Sequence, residues 1–222
     1  MKSKLMIKKK ERDIYMKIET LEVAGLYTAI KGMRNPMNSW HKADSRFNED
    51  SDFIIGENDL KLAQRLILAG AEHSKFMRQI YISFDVEAPL FWWLEADTYH
   101  YNTKNSCSTM HKLMSKYVSI EDFENFINKE ELLKDTIDKL NNIIDSYKVS
   151  NDAEEKRQLK IAAKSILPSS YLQKRTVSSN YQEIRNIYFQ RRHHALRELW
   201  VDGFCNWAKT LPYANELILL EK

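Results

Sequence analysis

The sequence predicts an α+β fold with an excess of helix, and three observations carry that reading. Two runs, "DIYMKIETLEV" at 13–23 and "RQIYISFDVEA" at 78–88, have the β-branched and aromatic content of strands. The stretch 119–148 instead spaces Phe123, Phe126, Leu133, Ile137, Leu140 and Ile144 as the apolar stripe of one or two amphipathic helices. Only 5 glycines and 4 prolines occur among 222 residues, which leaves little material for long turn-rich segments.

Taken in order, the basic run "MKSKLMIKKKER" over 1–12 reads as a solvated N-terminal tail, and 13–222 as a single domain. After the first strand, "AGLYTAIKGMR" reads as a short helix that ends before Pro36, because a residue ahead of proline avoids helical geometry. "NPMNSWHKADSRFNEDSD" is rich in turn residues and reads as a loop. A helix over 58–72 follows, with Asn58 placed to cap it by accepting an orphan backbone N–H. Pro89 closes the second strand and opens a helix, "PLFWWLEADTY", whose Phe91, Trp92 and Trp93 are expected in the core. Another helix runs up to Pro168, and a last one, rich in Arg, His and Trp, is expected over 178–209.

Several function classes fall away. Neither a dinucleotide fingerprint nor a P-loop is present, and no G-x-S-x-G elbow frames a serine nucleophile. No apolar run reaches the roughly 18 residues of a membrane span, and no signal-peptide core follows the basic start, so a cytoplasmic protein without membrane contact is expected. Cys107 and Cys205 stand far apart with no C-x-x-C, which fits a reducing compartment and argues against a cysteine metal site. His193 and His194 are neighbours, so on a helix they diverge by about 100° and do not share an ion; no metal is expected. Arg185, Arg191, Arg192 and Arg197 interleave with aromatics on the last helix, an arrangement that binds phosphates or simply forms a solvated face paired with Glu183 and Glu198.

One stretch stands apart. "EADTYHYNTKNSCSTMHKL" at 95–113 packs small hydrogen-bonding side chains directly after an apolar run. Its frame, Thr98-Tyr99-His100-x-x-Thr103-x-Asn105-Ser106-x-Ser108-x-Met110-His111, resembles the signature loop of the flavin-dependent thymidylate synthases, Arg-His-Arg-x-x-Ser-x-Asn-Glu-x-Ser-x-Arg-Tyr. Ala88, Pro89 and Phe91 match that family's Ala-Pro-x-Phe turn, and His73 stands where its flavin-contacting histidine precedes the strand. Ala163-Lys164-Ser165-Ile166-Leu167-Pro168 resembles its Ala-Arg-x-x-Leu-Pro element, and Asn180, Asn186 and Arg191 repeat its Asn-x5-Asn-x4-Arg spacing.

The resemblance implies a central, mostly antiparallel sheet flanked by long helices, assembled as a homotetramer. It implies FAD as cofactor, with NADPH and methylenetetrahydrofolate as co-substrates, and one-carbon transfer onto dUMP or a related pyrimidine deoxynucleotide. It assigns His73, His100, Asn180 and Asn186 to the flavin. It assigns Ser108, Lys164 and Arg191 to the nucleotide, with Arg191 near the base as the catalytic residue. The chain departs from the pattern at Thr98, Ser106 and Met110, and Glu95 replaces a nucleotide-holding Gln. Each lost phosphate contact weakens binding by about ten- to a hundred-fold, so the flavin half of the resemblance is the better kept. Two other readings follow: a descendant without catalysis that serves as a nucleotide- or flavin-binding or interaction module, and an unrelated α+β protein whose basic last helix binds nucleic acid. Nucleic acid is not the expected partner under the first reading.

Overall fold

The computed structural model describes residues 16–221, so the basic tail at 1–12 and the start of the expected first strand lie outside the described residues. The chain begins with β1 (Lys17–Ala24), then turns through Gly25 into α1 (Leu26–Gly32). Gly25 has φ 84°, and a Cβ there would run into the Gln79 carbonyl oxygen, so only glycine makes this turn cheaply. The expected loop holds a two-residue hairpin, β2 (Arg46–Phe47) against β3 (Phe53–Ile54), and Tyr27, Phe47 and Phe53 cluster on its face.

α2 (Glu57–Ala69) follows. Asn58 does not cap it: the cap position is Gly56, and the Asp44 carboxylate accepts instead from the Asn58 and Asp59 backbone N–H groups at 2.8 and 3.0 Å. The helix start is thus satisfied from a distant loop rather than from its own sequence. β4 (Tyr81–Pro89) shows the alternation its sequence promised, with Ile82, Phe84, Val86 and Ala88 all buried. It runs into α3 (Leu90–Ala96), which buries Trp92 and Trp93.

The polar stretch is no plain loop. It contains an edge strand, β5 (Thr103–Ser106), before the single turn α4 (Thr109–Lys112). Then come α5 (Lys129–Val149), α6 (Ala153–Ile166), β6 (Leu172–Asn180) and α7 (Tyr181–Arg191). β6 and the helix break at 192–196 correct the single helix expected over 178–209. Beyond the break, 197–208 is helical with a π turn over Trp200–Cys205.

The sheet order is β1-β4-β6-β5, with every neighbour antiparallel, as the resemblance implied. β6 is a central strand, yet it reads "LQKRTVSSN"; only Leu172 and Val177 are aliphatic. Its polar side chains are paired within the fold: Thr176 donates to Asp85 at 2.6 Å, and Gln173 donates to the Cys107 carbonyl at 2.7 Å. Such a strand is invisible to hydrophobic alternation, because its stability comes from ladder hydrogen bonds and side-chain pairing across neighbours.

Two apolar clusters form. The larger joins the sheet to α1, α2, α3, α7 and the C-terminal helical segment, with Trp93, Trp200 and Tyr181 at its heart. The smaller lies under the α5–α6 hairpin around Phe123, Leu133, Leu140 and Ile144. Among the described residues no helix is long and apolar enough to cross a membrane.

Candidate functional site

Asn180 ends β6 and caps α7. Its extended backbone, φ −142° and ψ 164°, brings Oδ1 within 3.0 Å of the Glu183 backbone N–H. One and a half turns on, Asn186 accepts from Gln190 Nε2 at 2.8 Å and donates weakly to buried Glu183 at 3.4 Å. The two asparagines line one open cleft of ≈ 350 Å³, together with Arg78, Tyr101, Arg185 and Phe189. The cations differ in their freedom. Arg185 donates to the Ile218 carbonyl at 2.6 Å, its guanidinium lies over Phe189, and burial lowers its pKa against the opposing pull of Glu221. Arg78 is exposed on the cleft wall.

His73 is exposed and lines a different cleft, a wider one of ≈ 1210 Å³ between α1 and α2, shared with Lys42, Lys61, Arg65 and Lys75. The walls of the two clefts are joined where Ser74 donates to Gln182 at 2.9 Å. His100 is exposed beside Tyr101, whose carbonyl accepts from Ser179 Oγ at 3.0 Å. Ser108 immediately precedes α4, and its carbonyl accepts from the Lys112 N–H at 3.0 Å. Lys164 is exposed in the last turn of α6, on the helical hairpin, and lines neither cleft among the described residues.

Arg191 is also parted from the asparagines. It follows Asn186 by five positions, about 140° around the helix, so its side chain leaves the other face. There Nε donates to the Tyr99 hydroxyl at 2.7 Å and Nη1 donates to Glu95 Oε2 at 2.8 Å. The guanidinium lies 4.5 Å from the centre of the Trp200 ring, and Trp200 Nε1 also donates to Glu95 Oε2, at 3.0 Å. The sequence pairs this helix with Glu183 and Glu198; the structure pairs Arg191 with Glu95 and Arg192 with Glu221. Glu95 was legible as an anomaly, but its partner was not, since 96 residues separate the two.

The polar groups between α3 and β5 are largely spent inside the fold. Thr98 donates to the Glu95 carbonyl at 2.7 Å and Asn102 to the Tyr99 carbonyl at 2.8 Å. Asp97 receives Arg175 Nη1 on both oxygens at 3.0 and 3.1 Å, and Lys104 stands 3.1 Å away. Burial pushes the Asp97 carboxyl up, but the hydrogen bonds from Lys104 and Arg175 outweigh it and hold the group below the usual carboxylate range. Arg175 in turn lies over Trp93 at 4.2 Å.

No protein-family model and no curated protein matches the chain. Solved structures do. The chain has the fold of the thymidylate synthase X enzymes, the class whose antiparallel sheet and flanking helices it repeats. Among its structural neighbours is thymidylate synthase X from Helicobacter pylori, solved with FAD and dUMP. Two structures of it match at TM-scores of 0.68 and 0.67, with 16% and 18% identity, each over 91% of this chain and 97% of the other. The UMP/dUMP methylase PolB from Streptomyces cacaoi, bound with 5-Br dUMP, matches at 0.59 with 13% identity, over 92% of this chain and 94% of that one.

Proposed function

We propose that the chain is a divergent member of the flavin-dependent thymidylate synthase family that binds FAD and transfers a one-carbon unit to a pyrimidine deoxynucleotide. The observation that carries the reading is the meeting of Asn180 and Asn186 in one cleft with Tyr101 and Arg78. The Asn180 amide N–H groups and the second lone pair of each carboxamide oxygen can meet the edge of a heterocycle, and exposed Tyr101 offers a face for its ring. A cleft of ≈ 350 Å³ fits one fused ring system, so the residues present suit the redox-active end of a flavin.

A bound flavin would supply the redox chemistry. The chain's own part is to hold and orient. Asn180 and Asn186 would set the ring's register, and Arg78 would stand as a cation at its rim. His73, on the neighbouring wider cleft, and His100, next to Tyr101, would serve the remaining length of the cofactor. Ser108, Lys164 and Arg191 are the residues proposed for the nucleotide. NADPH and methylenetetrahydrofolate as co-substrates, assembly as a homotetramer and a cytoplasmic location complete the reading; a tetramer would also bring surfaces of neighbouring copies to each cleft.

One observation favours the second reading, a binding module without catalysis. Arg191 is held by Glu95, Tyr99 and Trp200 with no ligand needed to satisfy it. The visible absorption spectrum of the purified protein, before and after incubation with FAD and dialysis, separates the cases. A retained flavin band is the expected result. If none is retained, the flavin reading falls; a retained band with no carbon transfer to dUMP, given NADPH and methylenetetrahydrofolate, leaves the binding module.

A further inference from the structure

The geometry points to Glu95 as the residue that tunes what the Arg191 end of the site will accept: it is an internal anion that engages Arg191, and a ligand carrying only acceptor groups must compete with it. This inference rests on the proposed nucleotide site and adds its control. Among the described residues, the contacts of the Glu95 carboxylate fall on one oxygen. Oε2 takes Arg191 Nη1 at 2.8 Å and Trp200 Nε1 at 3.0 Å, with His194 Nε2 at 3.4 Å. The Glu95 and Arg191 side chains are 32% and 17% exposed, so the pair sits at the surface boundary, where solvent and a ligand both reach it.

A guanidinium in this setting seeks one anion, and Glu95 already supplies it. A uracil carbonyl or a phosphate oxygen offered to Arg191 would compete with a carboxylate held on α3 at effectively high local concentration. A ligand that brings a donor can instead use Glu95 without breaking the pair.

The test is the binding of dUMP to the FAD-incubated full chain by isothermal titration calorimetry, in the wild type and in Glu95→Gln. The carboxamide keeps the shape and the acceptor for Trp200 but removes the charge that holds Arg191. Glu95→Gln is expected to bind dUMP about ten-fold or more tightly than the wild type. Glu95→Ala is expected to tighten it as well, and stands in should the Gln variant fail to fold by circular dichroism. Equal or weaker dUMP binding in the variants, with flavin uptake intact by absorbance, overturns the role of Glu95 and leaves the proposed function standing. Loss of flavin uptake in wild type and variants alike overturns both.

Discussion

Arg191 Nη1 donates to Glu95 Oε2 at 2.8 Å, and this contact pins the end of α7 to α3 across 96 residues of chain. Removing the cation leaves the carboxylate, among the described residues, with only Trp200 and His194. Arg191→Ala is therefore expected to lower stability by about 1–2 kcal/mol in urea unfolding, modest because the pair is partly solvated. Adding Glu95→Gln should recover part of that loss, since the unpaired charge is gone. Strict additivity of the two changes would mean that the residues do not act as a pair.

Asn180 has two duties that substitution can part. Its Oδ1 caps α7 through the Glu183 N–H, and it lines the cleft proposed for flavin. Asn180→Ala should cost about 1 kcal/mol of stability as a lost cap. Asn180→Asp keeps the cap acceptor but offers no amide donor, so it should hold stability while still loosening FAD, read as flavin retained after dialysis. Unchanged retention in both variants would remove Asn180 from the cofactor site.

Asp59 is the buried anchor beneath the wider cleft. It accepts from Arg34 Nε at 2.5 Å and from the Ser45 hydroxyl and N–H at 2.6 and 2.9 Å, and its side chain is 0% exposed. Burial alone would raise its pKa; the hydrogen bonds from Ser45 and Arg34 outweigh it and hold it below the usual value. Its stabilisation is thus present above the unfolded carboxylate pKa and is lost as pH falls through the lower folded value. Arg34→Ala strands this charge and is expected to cost about 3–5 kcal/mol by chemical denaturation. A cost under about 1 kcal/mol would mean water replaces the guanidinium.

Glu124 behaves in the opposite sense. Burial, aided by repulsion from Glu198 and only partly offset by Lys129, raises its pKa from 4.5 to about 7. The folded chain then keeps a proton that the unfolded chain releases, so stability falls as pH rises from the unfolded value through the folded one. Glu124→Gln should remove this slope. The variant is expected to gain about 2–3 kcal/mol over the wild type at about pH 8 and little at about pH 5. Parallel stability–pH curves for the two proteins would show that Glu124 is solvated.

The elements legible in the sequence are those whose burial is periodic. β4 alternates Ile82, Phe84 and Val86 inward, and α5 turns Leu133, Leu140 and Ile144 to one face, so residue order alone declares them. β6 escaped because its pairing is polar: Thr176 meets Asp85, Ser179 meets the Tyr101 carbonyl, and a helical period drawn through Ser178 looked as good. The start of α2 escaped because its cap, Asp44, comes from another segment. Of the candidate site, the sequence reading singled out Asn180, Asn186 and Arg191, and the structure places the two asparagines in one cleft and the arginine on another face of the helix.

By itself, then, the sequence determined the class of fold, the apolar elements and the family pattern on which the asparagines stand, because each is a property of neighbouring positions along the chain. The tertiary structure alone decided the sheet order, the polar central strand and the closure of Glu95 on Arg191. These depend on groups that the backbone brings together from far apart, and the strength of a charge or hydrogen bond is set by the partner it meets in space.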